Sequence, residues 1–518
     1  MHPRRHAGAS PGKSAVIMAG SGLALSYAEL VERSNRCAQL FRSLGLREGD
    51  GIALCLENHP RYFEVCWAAH NAGLYYTPIS SRLKTEEIHY IVRDCGARAL
   101  ITSEAMREAV APLSERLGAA CALFMVGERV APGMRSYEAA IAAMPATAVD
   151  EGGQGAAMMY SSGTTGVPKG IRHPLPNLPV EQPAALPQKL CELYGFDGST
   201  VYLSPAPLYH AAPLKFCLAV LAAGGTVVVM DRFDAAESLR AIGRYRVTHS
   251  QWVPTMFIRL LRLPLQEQQR FDLASHRVAI HSAAPCPVEV KERMIQWWGP
   301  ILHEYYSGSE SIGMCAISSE EWLSHKGSVG RAQRGVVHIL DEAGAELPAG
   351  ATGLVYFETA TVLRYHNDPE KTARAHNTRG WATMGDIGYL DQEGYLYLTD
   401  RRDFVIISGG VNIYPQECEN LLHTHPKVHD VAVFGVPNEE FGEEVKAVIV
   451  PVPGVTASAE LARELIDYCR SRIASLKCPR SVDFAAQLPR EPTGKLLKKS
   501  LRELYWQPRA PAASAGLR

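Results

Sequence analysis

The segment YSSGTTGVPKG, Tyr160 to Gly170, places three glycines, four Ser/Thr hydroxyls and one lysine within eleven residues. It follows the apolar run Ala156–Met159. Small residues let backbone N–H groups approach phosphate oxygens closely, and hydroxyls and the Lys169 ammonium add donors and charge. The spacing is not that of a Walker loop, because no GxxxxGK[ST] occurs. A Ser/Gly/Thr stretch on its own is more often a flexible connector. Its meaning therefore depends on the surrounding sequence.

Outward from this segment, helical and strand-like patterns alternate. Helical apolar spacing covers Ser26–Gly45 and Pro60–Gly73, with the short apolar run Gly51–Leu56 between them. Similar pairs recur at Glu86–Val92 with Ala97–Thr102, and at Ser238–Tyr245 with His249–Val253. This alternation predicts α/β layers with mainly parallel strands. Gly335–Tyr365 reads differently, as short strands and turns: Val336–Leu340, a turn at Asp341–Gly344, then Leu354–Glu358. The charged run Asp400–Asp403 separates strand-like Tyr395–Leu398 from Phe404–Ser408. A smaller set follows: helix Pro415–His423, strands Val431–Val436 and Glu444–Val450, helix Ala457–Ile473. The expected fold is α/β: a large N-terminal domain of layered α/β subdomains plus a β-rich subdomain, then a small α+β domain. The domains are placed at 1–400 and 401–518, and the Ala/Pro-rich tail after Trp506 is expected to be disordered.

Composition bounds the function classes. The chain has 518 residues, 53 basic and 54 acidic side chains, and a formal charge of −1. That length exceeds what one core usually serves. Near-zero charge argues against a broad nucleic-acid footprint. The longest nearly apolar stretch, Phe216–Met230, is interrupted by Gly224, Gly225 and Thr226 and is too short to span a bilayer. It reads as a buried helix, a glycine turn and a buried strand. The N-terminus is basic with no apolar run behind it, so no secretory signal is expected. Twelve cysteines form no CxxC pair and no zinc spacing. Reduced thiols in the cytoplasm are the plain expectation.

Seven further segments join the glycine-rich loop in order: SYAEL at 26–30, PLYHAAP at 207–213, SAAPCP at 282–287, YYSGSE at 305–310, WATMGD at 381–386, DRRDFVIISGGVNIYPQECE at 400–419 and PREPTGKLLKKSLR at 489–502. Together they resemble the motifs of the adenylate-forming superfamily of acyl-CoA synthetases, nonribosomal adenylation domains and luciferases. The resemblance spans essentially the whole chain. It implies a two-step reaction in which a carboxylate attacks the α-phosphate of ATP, giving acyl-adenylate and pyrophosphate, and the thiol of CoA then displaces AMP. Neither step needs a protein nucleophile; the protein must position reactants and stabilise spreading negative charge.

The resemblance carries roles to individual residues. Ser161, Ser162, Gly163, Thr164, Thr165, Gly166 and Lys169 would face the phosphates, with Thr165 among the catalytic donors. Glu310 would ligate Mg2+, which favours carboxylate and phosphate oxygens; a lone acid is by default a solvated surface group. Ala283, Ala284, Pro285, Tyr305, Tyr306 and Ser309 would surround adenine, with Tyr306 stacked on the base. Asp386 would accept from the ribose hydroxyls and Arg401 would approach ribose and phosphate. Lys495 would reach the carboxylate and α-phosphate during adenylation; its bland alternative is a solvated lysine in a basic patch with Lys498 and Lys499. Asp403 marks the hinge about which the small, mobile domain turns, bringing Ser408, Gly409 and Gly410 to the pantetheine channel. Asp400 departs from the Gly often found before this arginine.

On the acid side the resemblance implies His210, Ala211, Ala212, Trp252 and Ser282, with His210 also catalytic and Trp252, Met256 and Phe257 as apolar walls. No Asp or Arg in these motifs offers to pair with a second substrate charge. The expected acid is a fatty or bulky cyclic or aromatic monocarboxylate. The five prolines between Arg172 and Pro187 suggest a rigid lip over the site, or an ordinary surface loop. The implied partners are the small acid, ATP, Mg2+ and CoA, with no nucleic acid. Oligomeric state is not legible, and a homodimer is carried as an expectation. Two other readings stand beside an AMP-forming acyl-CoA synthetase: an adenylation enzyme loading a carrier-protein pantetheine, and a non-catalytic acyl- or nucleotide-binding protein.

Overall fold

The computed structural model describes residues 2–149, 152–161, 168–490 and 496–506. Six parallel strands form the first layered sheet, in the order Arg135–Ser136, Ala122–Val126, Ala97–Ser103, Gly51–Cys55, Tyr75–Pro78 and Ala156–Ala157. A nine-stranded sheet forms the second. Its central strands run parallel from Ser14–Met18 through Thr226–Val229, Val201–Ser204, His249–Trp252 and Val278–His281 to Leu302–Tyr306. Central strands such as Thr226–Val229 are buried along their whole length, which is why they read as continuous apolar runs.

The periodic segments form where the sequence places them. The helix Tyr27–Ser43 starts at a capping box in which Ser26 and Glu29 bond each other's backbone N–H. It buries Leu30, Cys37, Leu40 and Phe41. The Phe216–Met230 stretch divides as expected into the helix Ala211–Ala223, a left-handed Gly224 cap and the strand Thr226–Val229. At the N-terminus, the helix Pro3–Ala9 is an element the sequence reading missed. Its His2 ring is buried against Asn71, whose Oδ1 accepts from His2 Nε2 at 2.9 Å.

Gly335–Tyr365 supplies strands Val336–Leu340 and Gly353–Glu358, which join Asp386–Leu390 and Leu396–Arg401 in a four-stranded antiparallel sheet. That sheet ends at Arg401, and the next begins at Ile406. The latter runs Val411–Ile413, Ile406–Ser408, Gly442–Pro451, Val428–Asn438, with Ser481–Phe484 parallel to Gly442–Pro451. Helices Pro415–His423 and Ala459–Arg470 cover it through Leu422, Leu461 and Leu465. No helix among the described residues is long and apolar enough to cross a membrane. The expectation for the tail after Trp506 lies outside the described residues.

Candidate active site

The two ends of the glycine-rich segment are held side by side. Strands Met159–Ser161 and Lys169–Ile171 pair antiparallel, with Ser161 opposite Lys169. Ser162, Gly163, Thr164, Thr165 and Gly166 lie outside the described residues, as does Lys495. Lys169 forms an ion pair with Asp368 at 3.0 Å. The same Asp368 caps the helix Pro369–Arg374 by accepting from the Lys371 N–H at 2.9 Å. Ile171 bridges to Tyr365, whose hydroxyl donates to Glu310 Oε1 at 2.9 Å. A short chain of contacts thus links the glycine-rich hairpin to the proposed metal carboxylate.

Glu310 sits on the turn after the strand Leu302–Tyr306. The turn is tightly specified. A Cβ on Gly308 would collide with the Met384 sulfur and with Glu310 itself. Ser311, directly after Glu310, adopts the left-handed region at φ +51°, and Ala283 on the adenine-side loop does so at φ +77°. Left-handed non-glycine residues persist only where surrounding structure holds them, and they cluster at functional sites. Glu310 offers oxygen chemistry suited to Mg2+. No group of three or more potential metal-ligating side chains is present among the described residues. One carboxylate with phosphates and waters is the donor set a magnesium-nucleotide needs, so the residues fit that ion.

Sheet register assembles the ribose side. Asp386 and Arg401 face each other directly across strands Asp386–Leu390 and Leu396–Arg401. Arg401 Nε lies 3.7 Å from Asp386 Oδ1, and its Nη2 donates to the Met384 carbonyl at 2.8 Å. Tyr306 donates to Asp386 Oδ2 at 2.5 Å. Burial, then the Asp386 charge, pushes the Tyr306 phenol far above its ordinary range, so it stays a donor. Tyr305 is buried instead, stacked on Phe216 and accepting from Gln251 at 3.2 Å. Ser282 is also buried, beside the Tyr305 phenol. Ala283 and Pro285 are exposed, and Ala284 and Ser309 are half-buried.

His210 forms the N-terminal boundary of the helix Ala211–Ala223, with its ring tilted over Tyr209 at 4.5 Å. Ala211 and Ala212 follow in the first turn, half-buried. Trp252 does not line a pocket. It is 1% exposed, packs against Trp298 and Phe257, and donates from Nε1 to Ser250 at 2.6 Å. Met256 and Phe257 are core residues with it. Met256 and Phe257 serve the packing of the helix Pro254–Leu261 against Val288–Trp298. Cations stand near the helix that begins at Ala211. Lys215 donates to Ser311 Oγ at 2.9 Å, and Arg334 lies within electrostatic reach of Lys215, as both do of His173 from the proline-rich segment. At the start of that segment Tyr75 donates to the His173 carbonyl at 2.7 Å, and the Arg172 guanidinium covers the Tyr75 ring.

Beyond Arg401 the chain is fixed by side chains from both directions. Asp400, the departure from glycine, accepts from the Gln416 N–H at 3.0 Å and so caps the helix Pro415–His423 from a neighbouring strand. The Asp403 carbonyl accepts from Arg502 at 3.1 Å. Ser408, Gly409 and Gly410 form the tip of the hairpin between Ile406–Ser408 and Val411–Ile413. Both glycines have positive φ, 56° and 80°, as a two-residue hairpin turn requires. Lys498 is not part of a solvated patch. It is buried and pairs with Glu419 at 2.8 Å, while Lys499 is half-buried and lies 3.8 Å from Glu503.

Several site residues escaped the sequence reading. Asp368, Lys371 and Tyr365 lie in YHNDPEKT at 365–372, whose acid-Pro start signals only a helix cap. Lys291 is fully buried and pairs with Glu304 at 2.7 Å, locking the helix Val288–Trp298 to the strand that delivers Tyr305 and Tyr306. Nothing in its local sequence distinguishes it from a surface lysine.

Comparison with known proteins matches two family models. Residues 3–365 match "AMP-binding enzyme" and residues 417–495 match "AMP-binding enzyme C-terminal domain". A feruloyl-CoA synthase from Amycolatopsis sp is 34% identical over 506 residues, covering 97% of this chain and 98% of that protein. A long-chain-fatty-acid–CoA ligase from Mycobacterium tuberculosis is 31% identical, covering 97% of each chain. Among solved structures, ATP-bound MatB from Rhodopseudomonas palustris superposes with a TM-score of 0.83 at 28% identity, covering 98% of this chain and 99% of that one.

Proposed function

The chain belongs to the AMP-binding family of adenylate-forming enzymes, and on that premise we propose how its residues divide the work of an ATP-dependent acyl-CoA synthetase. The enzyme activates a carboxylic acid as acyl-AMP with release of pyrophosphate, then passes the acyl group to CoA. The observation that carries the division of labour is the cluster Tyr306–Asp386–Arg401 standing next to Glu310–Tyr365 and Lys169–Asp368.

Asp386 takes the ribose diol, since one carboxylate presents two adjacent acceptor oxygens. Tyr306 and Arg401 hold that carboxylate from either side, fixing its orientation before ATP arrives. Glu310 would hold Mg2+, which when bound supplies charge neutralisation on the phosphates. Tyr365 orients the Glu310 carboxylate through its Oε1 bond. Lys169 releases Asp368 and turns its ammonium to the departing pyrophosphate, with Thr164 and Thr165 as further donors. Lys495 bridges the reacting carboxylate and the α-phosphate, where negative charge accumulates in the transition state. His210, Ala211 and Ala212 line the acid end. For the second step the small domain turns about Asp403, and the Ser408–Gly410 hairpin tip borders the path of the pantetheine thiol.

The acid is proposed to be fatty or bulky cyclic or aromatic. All twelve cysteines are free, and we place the enzyme in the reducing cytoplasm. The test is ATP-dependent pyrophosphate release over a panel of aliphatic, aromatic and alicyclic acids, with CoA and a phosphopantetheinylated carrier protein as rival acceptors. Thioester on CoA is the expected product. Thioester on the carrier alone would replace CoA as acceptor, and no pyrophosphate with any acid would reject the activity.

A further inference from the structure

Glu310 has cations on two sides, and they form two separate groups. On the phosphate side stand Lys169 and Lys371, the latter with its ammonium 3.9 Å from the Tyr365 ring centre. Lys371 responds to Glu310, Asp368, Lys169 and Arg401. On the other side stand Lys215 and Arg334, and Lys215 responds to Arg334 and Glu310. Glu310 is common to both groups.

The second group is built from four segments. Lys215 lies on the helix Ala211–Ala223, which begins at the acid-side residues Ala211 and Ala212. Its Nζ donates to Ser311 Oγ at 2.9 Å, on the left-handed residue after Glu310. Arg334 ends the strand Arg331–Arg334, whose register places it opposite Met314, three residues beyond Ser311. His173 comes from the proline-rich segment, and burial followed by the Lys215 charge keeps its imidazole below the ordinary value. Burial, followed by the Arg334 charge, draws the Lys215 ammonium down to about 8. The Arg334 Nε is buried with no hydrogen-bond partner among the described residues. Among those residues no carboxylate forms an ion pair with Lys215 or Arg334. Glu310 offsets part of the Lys215 charge without forming an ion pair with it, and an incoming anion or strong oxygen acceptor offsets more of the cost of two half-buried cations.

We propose that Lys215 and Arg334 form a specificity subsite on the acid side of Glu310, taking a second oxygen function of the acyl substrate, with a carboxylate the best match and a keto or hydroxyl oxygen the neutral equivalent. The inference rests on the acyl-CoA synthetase reading and narrows it: the acid carries a polar group away from its reacting carboxylate. Ser311 holds the Lys215 ammonium in place, and Arg334 supplies the second donor.

Matched acids test this. Pyrophosphate release is measured with MgATP and CoA for pentanoate, heptanoate and nonanoate, for their ω-carboxylates and ω-1 ketones, and for cyclohexanecarboxylate with its 4-carboxy and 4-oxo derivatives. The expected result is a KM about tenfold or more lower for the difunctional member of at least one set, a difference of about 1.4 kcal/mol. Lys215→Met and Arg334→Gln should each erase that advantage while leaving the KM for ATP and for the monofunctional acid unchanged, and Lys215→Arg should retain it. An advantage confined to the dicarboxylate identifies an anion subsite, and an equal advantage for the ketone a neutral one. No advantage in any set overturns the proposal. So does a loss in Lys215→Met that falls equally on all acids and on ATP, which would assign Lys215 to the reacting carboxylate and phosphate. Titration calorimetry of the wild-type protein with heptanoate and heptanedioate decides the subsite independently of turnover. Tighter binding of the dioate without any turnover would fault the activity and leave the subsite standing.

Discussion

The Tyr306 hydroxyl donates to Asp386 Oδ2 at 2.5 Å although the two residues belong to different sheets. The proposed base-stacking ring is therefore tied to the proposed ribose acceptor, and on the proposed roles adenine and ribose recognition would act as one unit. Asp386→Ala should raise the KM for ATP by about a hundredfold, as expected when a charged acceptor of two hydrogen bonds is lost. Tyr306→Phe, which keeps the ring and frees the carboxylate, should cost about tenfold or less. The KM for the acid should stay constant in both. Steady-state kinetics with each substrate varied checks this, and a change confined to the acid KM would remove Asp386 from the nucleotide site.

Lys495 is assigned to one half-reaction only. Lys495→Ala should slow acyl-AMP formation by about 10²–10³, the usual cost of losing one preorganised transition-state donor. Thioester formation from supplied acyl-AMP and CoA should proceed at the wild-type rate. Rapid-quench assays of the two half-reactions separate these outcomes. Equal losses in both would place Lys495 outside the adenylation step.

Lys498 and Glu419 form a buried ion pair joining the helices Lys498–Trp506 and Pro415–His423, and Glu419 also accepts from the Val433 N–H at 2.7 Å. Burial raises the Glu419 carboxyl, and the Lys498 ammonium pulls it part of the way back. Lys498→Met leaves that carboxylate uncompensated and should destabilise the C-terminal segment by about 3–5 kcal/mol. The double variant Lys498→Met/Glu419→Leu should recover much of the loss, because no unpaired charge remains. Denaturant unfolding followed within this segment gives the values, and additive losses would refute the coupling.

Two buried histidines predict acid sensitivity. Burial, and then the His249 charge, holds His276 down to about 3, and burial holds His249 down to about 4. Both are neutral in the fold, with His276 bonded to Ser250 at 2.6 Å and His249 to the Tyr194 carbonyl at 2.9 Å. On unfolding they regain a pKa near 6.5 and take up protons. Their contribution is thus complete above about pH 6.5 and is lost as pH falls from there toward the folded values. At pH 5 the loss is about 2 kcal/mol for each. Melting temperatures at pH 7 and pH 5 should fall less steeply for His249→Asn/His276→Asn than for the wild type. Parallel falls would show that other groups govern acid unfolding.

The fold was largely legible before any coordinates. The capping box at Ser26 and Glu29, the apolar period of Tyr27–Ser43 and the continuous run Thr226–Val229 are local signals, set by neighbours within a few residues. Trp252 shows where such signals stop. An apolar residue beside an acid-side motif reads equally as pocket wall or as core, and only packing against Trp298 decides for core. Lys498 and Lys291 show the same for charge, since each reads as a surface lysine until Glu419 and Glu304 arrive from other strands and helices.

By itself the sequence determined the α/β layering and the order of the motifs, because periodicity and caps act over short spans of chain, while the reaction class came with the resemblance those motifs carry to the adenylate-forming superfamily. Tertiary structure alone decided which distant groups share a charge. Strand register put Arg401 opposite Asp386, the Ile171–Tyr365 bridge brought the glycine-rich hairpin to Glu310, and tertiary packing set Lys215 against Ser311 within electrostatic reach of Arg334. Electrostatic and hydrogen-bond energies depend on distances of a few ångströms in space, and separation along the chain does not encode them.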